Sequence, residues 1–362
     1  MYIFIEPSDV LLFRDGRPFV AGEDHRAVSL FPPTPLTIQG AIRSRVLADK
    51  GVSYAAYASG AVSVPEIGYA DNYGQVRLQG PFIARQEDRR IVRYFPLPAD
   101  VVLAGCPQPI TLAPLPASDS SFESSPPLSA GPSGLLWHRT IARLEALNGW
   151  LSEVELGRYL KDKPFKVTPE HELFERESRF HVGIDSRFKR PHQGDSGGHL
   201  FQVEFMRLRY GVGLWLDVSG VQLRDEGLLQ LGGDAKAAMY RKVDDAPLLT
   251  PGGTIQGKFR LYFATPAYFA NGWQPSDWGQ FIRGGRVRLV AAALSRAQPI
   301  GGFDLARSQH KPMRRFVPSG SVFFFESDDM VTVPDAITDD DGQARLSQIG
   351  FGQVFIGGWD YV

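Results

Sequence analysis

The run Ser29-Leu30-Phe31-Pro32-Pro33-Thr34-Pro35-Leu36-Thr37-Ile38-Gln39-Gly40-Ala41-Ile42-Arg43-Ser44 constrains the fold more than any other stretch of this chain. Proline suits the first turn of a helix and breaks its interior, so Pro33 and Pro35 mark a helix start. The helix is predicted to run to about Ala48 and to stop at Gly51. Upstream, Tyr2–Phe13 reads as a strand broken by Pro7. Phe13-Arg14-Asp15-Gly16-Arg17-Pro18-Phe19 reads as a charged turn. Strand, turn and Pro-initiated helix form one unit. Gln39, Gly40, Arg43 and Ser44 share a helix face. Together with free N–H groups of the first turn, that face can offer a phosphate both donors and a guanidinium.

The chain has 362 residues, enough for two ordinary domains. Apolar residues make up 43%, enough for a real core and too many for wholesale disorder. Lys and Arg total 39 against 40 Asp and Glu, a formal net charge of −1. Any nucleic-acid contact must therefore come from local basic patches. Cys106 is the only cysteine, which excludes an intrachain disulfide and a multi-cysteine metal site and fits a reducing cytoplasm. Met1–Asp9 has neither a basic nor a long apolar region of a secretory leader. No apolar run approaches the roughly 20 residues that cross a bilayer. A cytoplasmic protein without membrane contact is expected.

Residues from about 50 to 175 read as an insertion. Pro96–Pro132 is proline-dense and contains the Ser/Asp-rich Ser118–Ser125, a loop composition. Within it, Ile141, Leu144, Leu147 and Leu151 recur at helical steps and predict a helix over Trp137–Leu160. Strands are expected at His199–Tyr210, Val212–Val218 and Met239–Val243, with a short helix over Val221–Leu231. Without the insertion the order is strand, helix, strand, strand, helix, strand, the ferredoxin-like or RRM order. The second half repeats it: strand Thr254–Ala264, helix Pro275–Ile282, strand Val287–Ala292, aromatic strand Arg315–Glu326, helix Gln343–Ile349 and closing strand Gly350–Trp359.

Several short runs converge on one family. They are the opening motif, Arg179-Phe180-His181-Val182-Gly183-Ile184-Asp185, Leu231-Gly232-Gly233-Asp234, Thr265-Pro266-Ala267-Tyr268-Phe269, Gly272-Trp273-Gln274-Pro275, Val317-Pro318-Ser319-Gly320-Ser321 and Gly350-Phe351-Gly352-Gln353. In this order they resemble subunit three of the type III-B CRISPR–Cas Cmr effector complex, a RAMP-superfamily protein of the Cas-five-like group. The resemblance implies an α+β fold of two tandem ferredoxin-like (RRM/RAMP) domains. The first spans 1–245 with the insertion at about 50–175, and the second spans 255–362 with a glycine-rich loop near its end. It implies a non-catalytic subunit without cofactor that holds the 5′ repeat-derived handle of the crRNA. Implied partners are the crRNA, the large Palm-domain subunit, the backbone RAMP subunit and, indirectly, target RNA. Ser319 stands where alanine is more usual in this family.

Each constellation has a plainer alternative. Arg14, Asp15 and Arg17 form either a solvated turn, worth about 0–1 kcal/mol if exposed, or a phosphate clamp, since a guanidinium fork matches two phosphate oxygens. Gln39, Gly40, Arg43 and Ser44 form either a helix–sheet contact or an RNA-facing surface that Gly40 opens to close approach. Gly350 and Gly352, around Phe351, suit a sharp internal bend or a backbone nest for phosphate; the resemblance makes this loop RNA-facing. No G-x-x-x-x-G-K-[ST] occurs. Lys311, Arg314 and Arg315 are read as RNA contacts, and Phe323-Phe324-Phe325 as core. Arg187, Lys189, Arg190 and His192 form a second basic loop. His25 and His181 lie nearest the expected RNA surface, and His181 is taken as a contact. A lone histidine is more often structural, and neither has a partner at a diagnostic spacing for acid–base work. Asp339-Asp340-Asp341 reads as a solvated turn, and no metal site is expected. Two other functions stay open: a metal-independent endoribonuclease that matures precursor crRNA, and a purely architectural subunit.

Overall fold

Ile3, Phe4 and Ile5 are all fully buried. Successive strand residues face opposite sides of a sheet, so the opening strand is covered on both faces. The computed structural model describes residues 1–14, 26–69, 72–105, 107–116, 134–182, 184–185, 190–191, 200–304, 309–340 and 345–362. The chain divides into two units. Unit one comprises Met1–Ile91, His171–Asp244 and Pro299–Arg314; unit two comprises Val92–Glu170, Asp245–Gln298 and Arg315–Val362.

In unit one the opening strand Tyr2–Pro7 is the middle of five antiparallel strands. Their lateral order is Arg77–Glu87, Val212–Ser219, Tyr2–Pro7, Ala237–Val243, Glu226–Gln230. The helix Pro35–Asp49 buries Ile38, Ala41, Ile42 and Val46 and packs on the sheet at Glu226–Gln230 and Arg77–Glu87. A ribbon of Phe174–Val182 and Leu200–Leu208 pairs over nine residues. Its Val203 and Phe205 join Val10 and Leu12 in a second small core.

In unit two four antiparallel strands lie in the order Arg288–Ala293, Val322–Val333, Gly253–Phe263, Val354–Gly358. Numbered along the chain, that is 2-3-1-4. Unit one shows the same 2-3-1-4 for Arg77–Glu87, Val212–Ser219, Tyr2–Pro7 and Ala237–Val243, with Glu226–Gln230 added at the edge. The two halves therefore share one strand order. Phe323, Phe324 and Phe325 are all fully buried. Phe323 and Phe325 meet Trp278 at 5.1 and 4.8 Å between ring centroids, while Phe324 meets Trp359 at 5.7 Å. Both faces of this strand are covered, as expected of the three phenylalanines.

Four expected helices are different elements. Over Trp137–Leu160 only Glu153–Leu160 is helical; Leu136–Trp137, Leu144–Ala146 and Trp150–Ser152 are strands. Ile141 is wholly exposed, so the helical spacing of these residues never formed a buried stripe. The helix begins at Ser152, whose side chain accepts from the Glu155 N–H at 3.4 Å. Over Val221–Leu231 the structure has the strand Glu226–Gln230. Leu229 and Leu231 are buried while Leu228 is exposed, a period of two that tertiary pairing selects over the helical alternative. Pro275–Ile282 and Gln343–Ile349 shrink to 3-10 turns at Trp278–Gln280 and Ser347–Ile349, with 343–344 outside the described residues. The ferredoxin-like helix count is thus not met.

The region from 50 to 175 is not a loop-like insertion throughout. Arg77–Glu87 is a member of the unit-one sheet, with Phe82, Ile83 and Ala84 buried. Residues 92–170, read from sequence within the first domain, group with the second unit.

Buried charged groups link this region to the rest of unit two. Arg93 and Glu153, 2% and 4% exposed, form a two-pronged pair; Glu153 also accepts from the Leu249 N–H at 2.6 Å. Nearby, the Tyr159 hydroxyl donates to both oxygens of fully buried Asp100 at 2.9 and 2.8 Å. Arg260 lies 3.7 Å from Asp100, donates to the Tyr159 carbonyl at 2.5 Å and stacks on the Tyr159 ring at 4.2 Å.

Burial pushes the Asp100 carboxyl from 3.8 up to about 6, against the opposing pull of Arg260 and the Tyr159 hydrogen bond. The folded protein then binds this proton more tightly than the unfolded chain. Its contribution to stability is full below pH 3.8 and is lost as pH rises through about 6. The shift corresponds to roughly 3 kcal/mol. Asp100→Asn should remove this part of the pH dependence between pH 4 and 7. Urea unfolding midpoints of both proteins across that range measure it, and equal pH slopes would exclude the assignment.

Candidate nucleic-acid interface

The turn after the opening strand is fixed from below. Ser29, 3% exposed, accepts from the Phe13 N–H at 3.2 Å and donates to the Glu204 carbonyl at 2.6 Å. The Leu30 N–H reaches the Phe13 carbonyl at 2.7 Å. Arg14 bridges to Ser29 and is exposed at this stitched base. Asp15, Arg17 and His25 lie outside the described residues, as do Arg187, Lys189 and His192; of Arg190 only the backbone is described.

The helix face expected to meet RNA is roofed by the protein itself. Gln39 is 6% exposed; its amide donates to the Leu36 carbonyl at 3.0 Å and accepts from Arg43 at 3.3 Å. Arg43 donates to the Tyr57 hydroxyl at 2.6 Å and the Tyr69 carbonyl at 2.5 Å, with its guanidinium 5.9 Å from the Tyr57 and Tyr73 rings. Ser44 donates to the Gly40 carbonyl at 2.7 Å and accepts from Tyr54. The first-turn N–H groups of Thr37 and Ile38 are taken by the Thr34 carbonyl. Arg43 is therefore first a strut that ties the 54–73 segment to the helix, a correction to its reading as a free phosphate ligand. Its partners are all neutral among the described residues. Arg45, two positions on, is neutralised by Asp49. Nothing lies within 4 Å of where a Gly40 Cβ would sit, so no close approach within the protein demands this glycine.

The Gly350–Gly352 loop, in unit two, faces inward. All three residues are buried, Phe351 fully, with its ring 5.0 Å from Phe316. Gly350 and Gly352 have φ of 106° and 69°. A Cβ on Gly352 would lie 2.3 Å from the Ile337 carbonyl oxygen. The Gly352 N–H and C=O are already bonded to Pro266 and Ile337 at 2.8 and 2.7 Å. These glycines make an internal bend, and Phe351 is a core residue with no stacking surface to offer; the RNA-facing reading is corrected for all three.

His181 sits on the packed side of the Phe174–Val182 strand. Its ring stacks on Phe201 at 5.6 Å and tilts against Phe205 at 5.9 Å, beside Arg179, whose guanidinium covers Phe205 at 5.2 Å. The opposite face of the strand, missed in the sequence reading, exposes Phe180 and Val182 at 71% and 47%. Strand alternation alone separates the two faces once the period is known. Lys311, Arg314 and Arg315 lie together on the strand Gln309–Val317; Arg315 is exposed, and the other two are half-buried. Asp339 serves the fold, accepting from the Ala270 N–H at 2.9 Å. No cluster of metal-ligating side chains occurs among the described residues.

Two strand-dominated units with few helices make this a mixed α/β protein built mostly of strands. The chain belongs to the Cas_Cmr3 family of CRISPR-associated proteins, whose family model matches residues 3–359. Its fold is similar to that of a chain in Type III-B Cmr-beta bound to cognate target RNA and AMPPnP. The TM-score is 0.50 at 15% identity, covering 90% of this chain and 86% of that one. A second structure, Type III-B Cmr-beta bound to cognate target RNA, gives the same values. No curated protein matches. No helix among the described residues is long and apolar enough to cross a membrane.

Proposed function

We propose that this chain is a non-catalytic crRNA-binding subunit of a type III-B CRISPR effector that targets RNA, acting in the cytoplasm. Its two units, which share one strand topology, correspond to two ferredoxin-like domains whose helices are partly replaced. It holds the 5′ repeat-derived handle and contacts the large Palm-domain subunit and the backbone RAMP subunit. The observation that carries this reading is the family match over nearly the whole chain. The exposed Arg14 and the basic strand Gln309–Val317 support RNA contact. The engagement of His181 in aromatic packing speaks for a structural histidine and against a general acid.

The test is handle retention by the assembled complex. Arg14→Ala should weaken it by about 1–3 kcal/mol if Arg14 donates a charge-assisted hydrogen bond. Photocrosslinking from the handle should reach this chain. Handle retention and crosslinks indifferent to this subunit would leave the architectural reading. Cleavage of repeat RNA by the isolated chain in chelator would instead establish the endoribonuclease.

A further inference from the structure

The edge of the unit-one sheet carries an open apolar pair. Leu228 and Met239 stand directly opposite each other where Glu226–Gln230 pairs with Ala237–Val243, so both point to one face. They are 58% and 55% exposed, and Ala237 beside them is exposed as well. On the opposite face of the same two strands Leu229, Ala238 and Tyr240 are all buried. The border of the pair is charged. Glu6 stands opposite Met239 on the next strand. Arg241 lies 3.6 Å from Glu6 and donates to the Gln86 amide oxygen at 2.7 Å. Glu226 stands opposite Arg241 and makes no ion pair among the described residues. Glu6 also lines a cleft of about 460 Å³ with Asp9, Asp88 and the fully exposed Tyr210. Arg207 and Arg209 line the same cleft, but Glu177 and Glu175 already hold them. The border and the cleft are left with an excess of carboxylate.

We infer that this outer face seats a neighbouring protein subunit. The partner lays an aliphatic side chain on Leu228 and Met239 and directs a lysine or arginine at Glu6 and the cleft. Aliphatic side chains have no π-face for a base to stack on, and they gain by burial against other apolar groups. An apolar centre inside a polar rim is the anatomy of a protein–protein interface. The surplus carboxylates repel phosphate and attract a cation, which selects a basic polypeptide over RNA. The Tyr210 ring offers that cation a second, uncharged partner. The inference rests on the reading of this chain as an effector subunit, but it uses none of the residues proposed to meet RNA.

The test uses the reconstituted effector. With Leu228→benzoylphenylalanine, photocrosslinks in the assembled complex should reach another protein subunit, at a segment that holds a lysine or arginine. Biolayer interferometry then measures the affinity of the full chain for the remaining assembled subunits. The double variant Leu228→Ala with Met239→Ala should bind about 10-fold or more weakly, with a loss that hardly varies with salt. Met239→Leu should bind as wild type. Glu226→Lys should also bind more weakly, mainly through slower association, and its loss should shrink as salt rises. Thermal unfolding checks that these exposed substitutions leave the fold intact. Crosslinks from position 228 to RNA alone, no crosslink at all, or wild-type affinity in the double variant would overturn the inference. Persisting crosslinks from the handle to this chain would then show that only the docking face, and not the subunit's RNA role, has failed.

Discussion

Glu153→Ala is expected to destabilise the protein by about 3–5 kcal/mol, the usual cost of stripping one partner from a buried ion pair. The change leaves the Arg93 guanidinium, 2% exposed, without its carboxylate. It also removes the acceptor of the Leu249 N–H. The Arg93 hydrogen bond to the Leu249 carbonyl at 2.8 Å is neutral and does not replace the lost carboxylate. Against a typical total of about 5–15 kcal/mol, this loss threatens the fold of the whole unit. Arg93→Leu combined with Glu153→Leu should cost less than Glu153→Ala alone, because no charge is then buried unpaired. Chemical denaturation of the single and double variants decides it. A single variant within 1 kcal/mol of wild type would show that the pair is more hydrated than its burial indicates.

Gly352→Val should damage folding, not RNA binding, and cost roughly 2–5 kcal/mol. A positive φ of 69° is unfavourable for any residue with a Cβ, by about 1–2 kcal/mol. The added atom would also sit 2.3 Å from the Ile337 carbonyl oxygen, where backbone must move; overpacking of this kind adds about 1–3 kcal/mol. Thermal unfolding and crRNA occupancy of the assembled complex separate the two readings. A variant with wild-type melting but lost RNA would restore the loop to the interface. Lower melting, with occupancy falling only in step with folded protein, is the outcome that the buried loop dictates.

Much of the architecture is readable from local chemistry. Pro35 at the first turn and Gly51 beyond the last bracket the helix that runs over Pro35–Asp49. The burial of Phe323–Phe325 follows from three consecutive aromatics in a strand, where at least one face must be core. Failures occur where a short apolar run supports two periods. Val221–Leu231 has leucines compatible with either, and pairing with Ala237–Val243 chose the strand. The site was the least legible part. Gln39, Arg43 and Ser44 do share a helix face, but nothing local reveals that Tyr54, Tyr57 and Tyr69 roof it. Gly350 and Gly352 announce a positive φ without saying whether the bend opens to solvent or to Pro266 and Ile337.

The amino-acid sequence by itself determined the family, the existence of two strand-rich halves and the conformational demands of single residues. All of these depend on residue type and short-range spacing. Only the tertiary structure decided which strands lie side by side, that residues 92–170 group with the second unit, and which polar groups are spent inside the protein. Those outcomes hang on pairs such as Arg93 with Glu153 and Arg260 with Asp100, separated by many residues along the chain. A buried charge must be paired wherever the fold brings a partner, and that choice is made across space, where sequence spacing carries no signal.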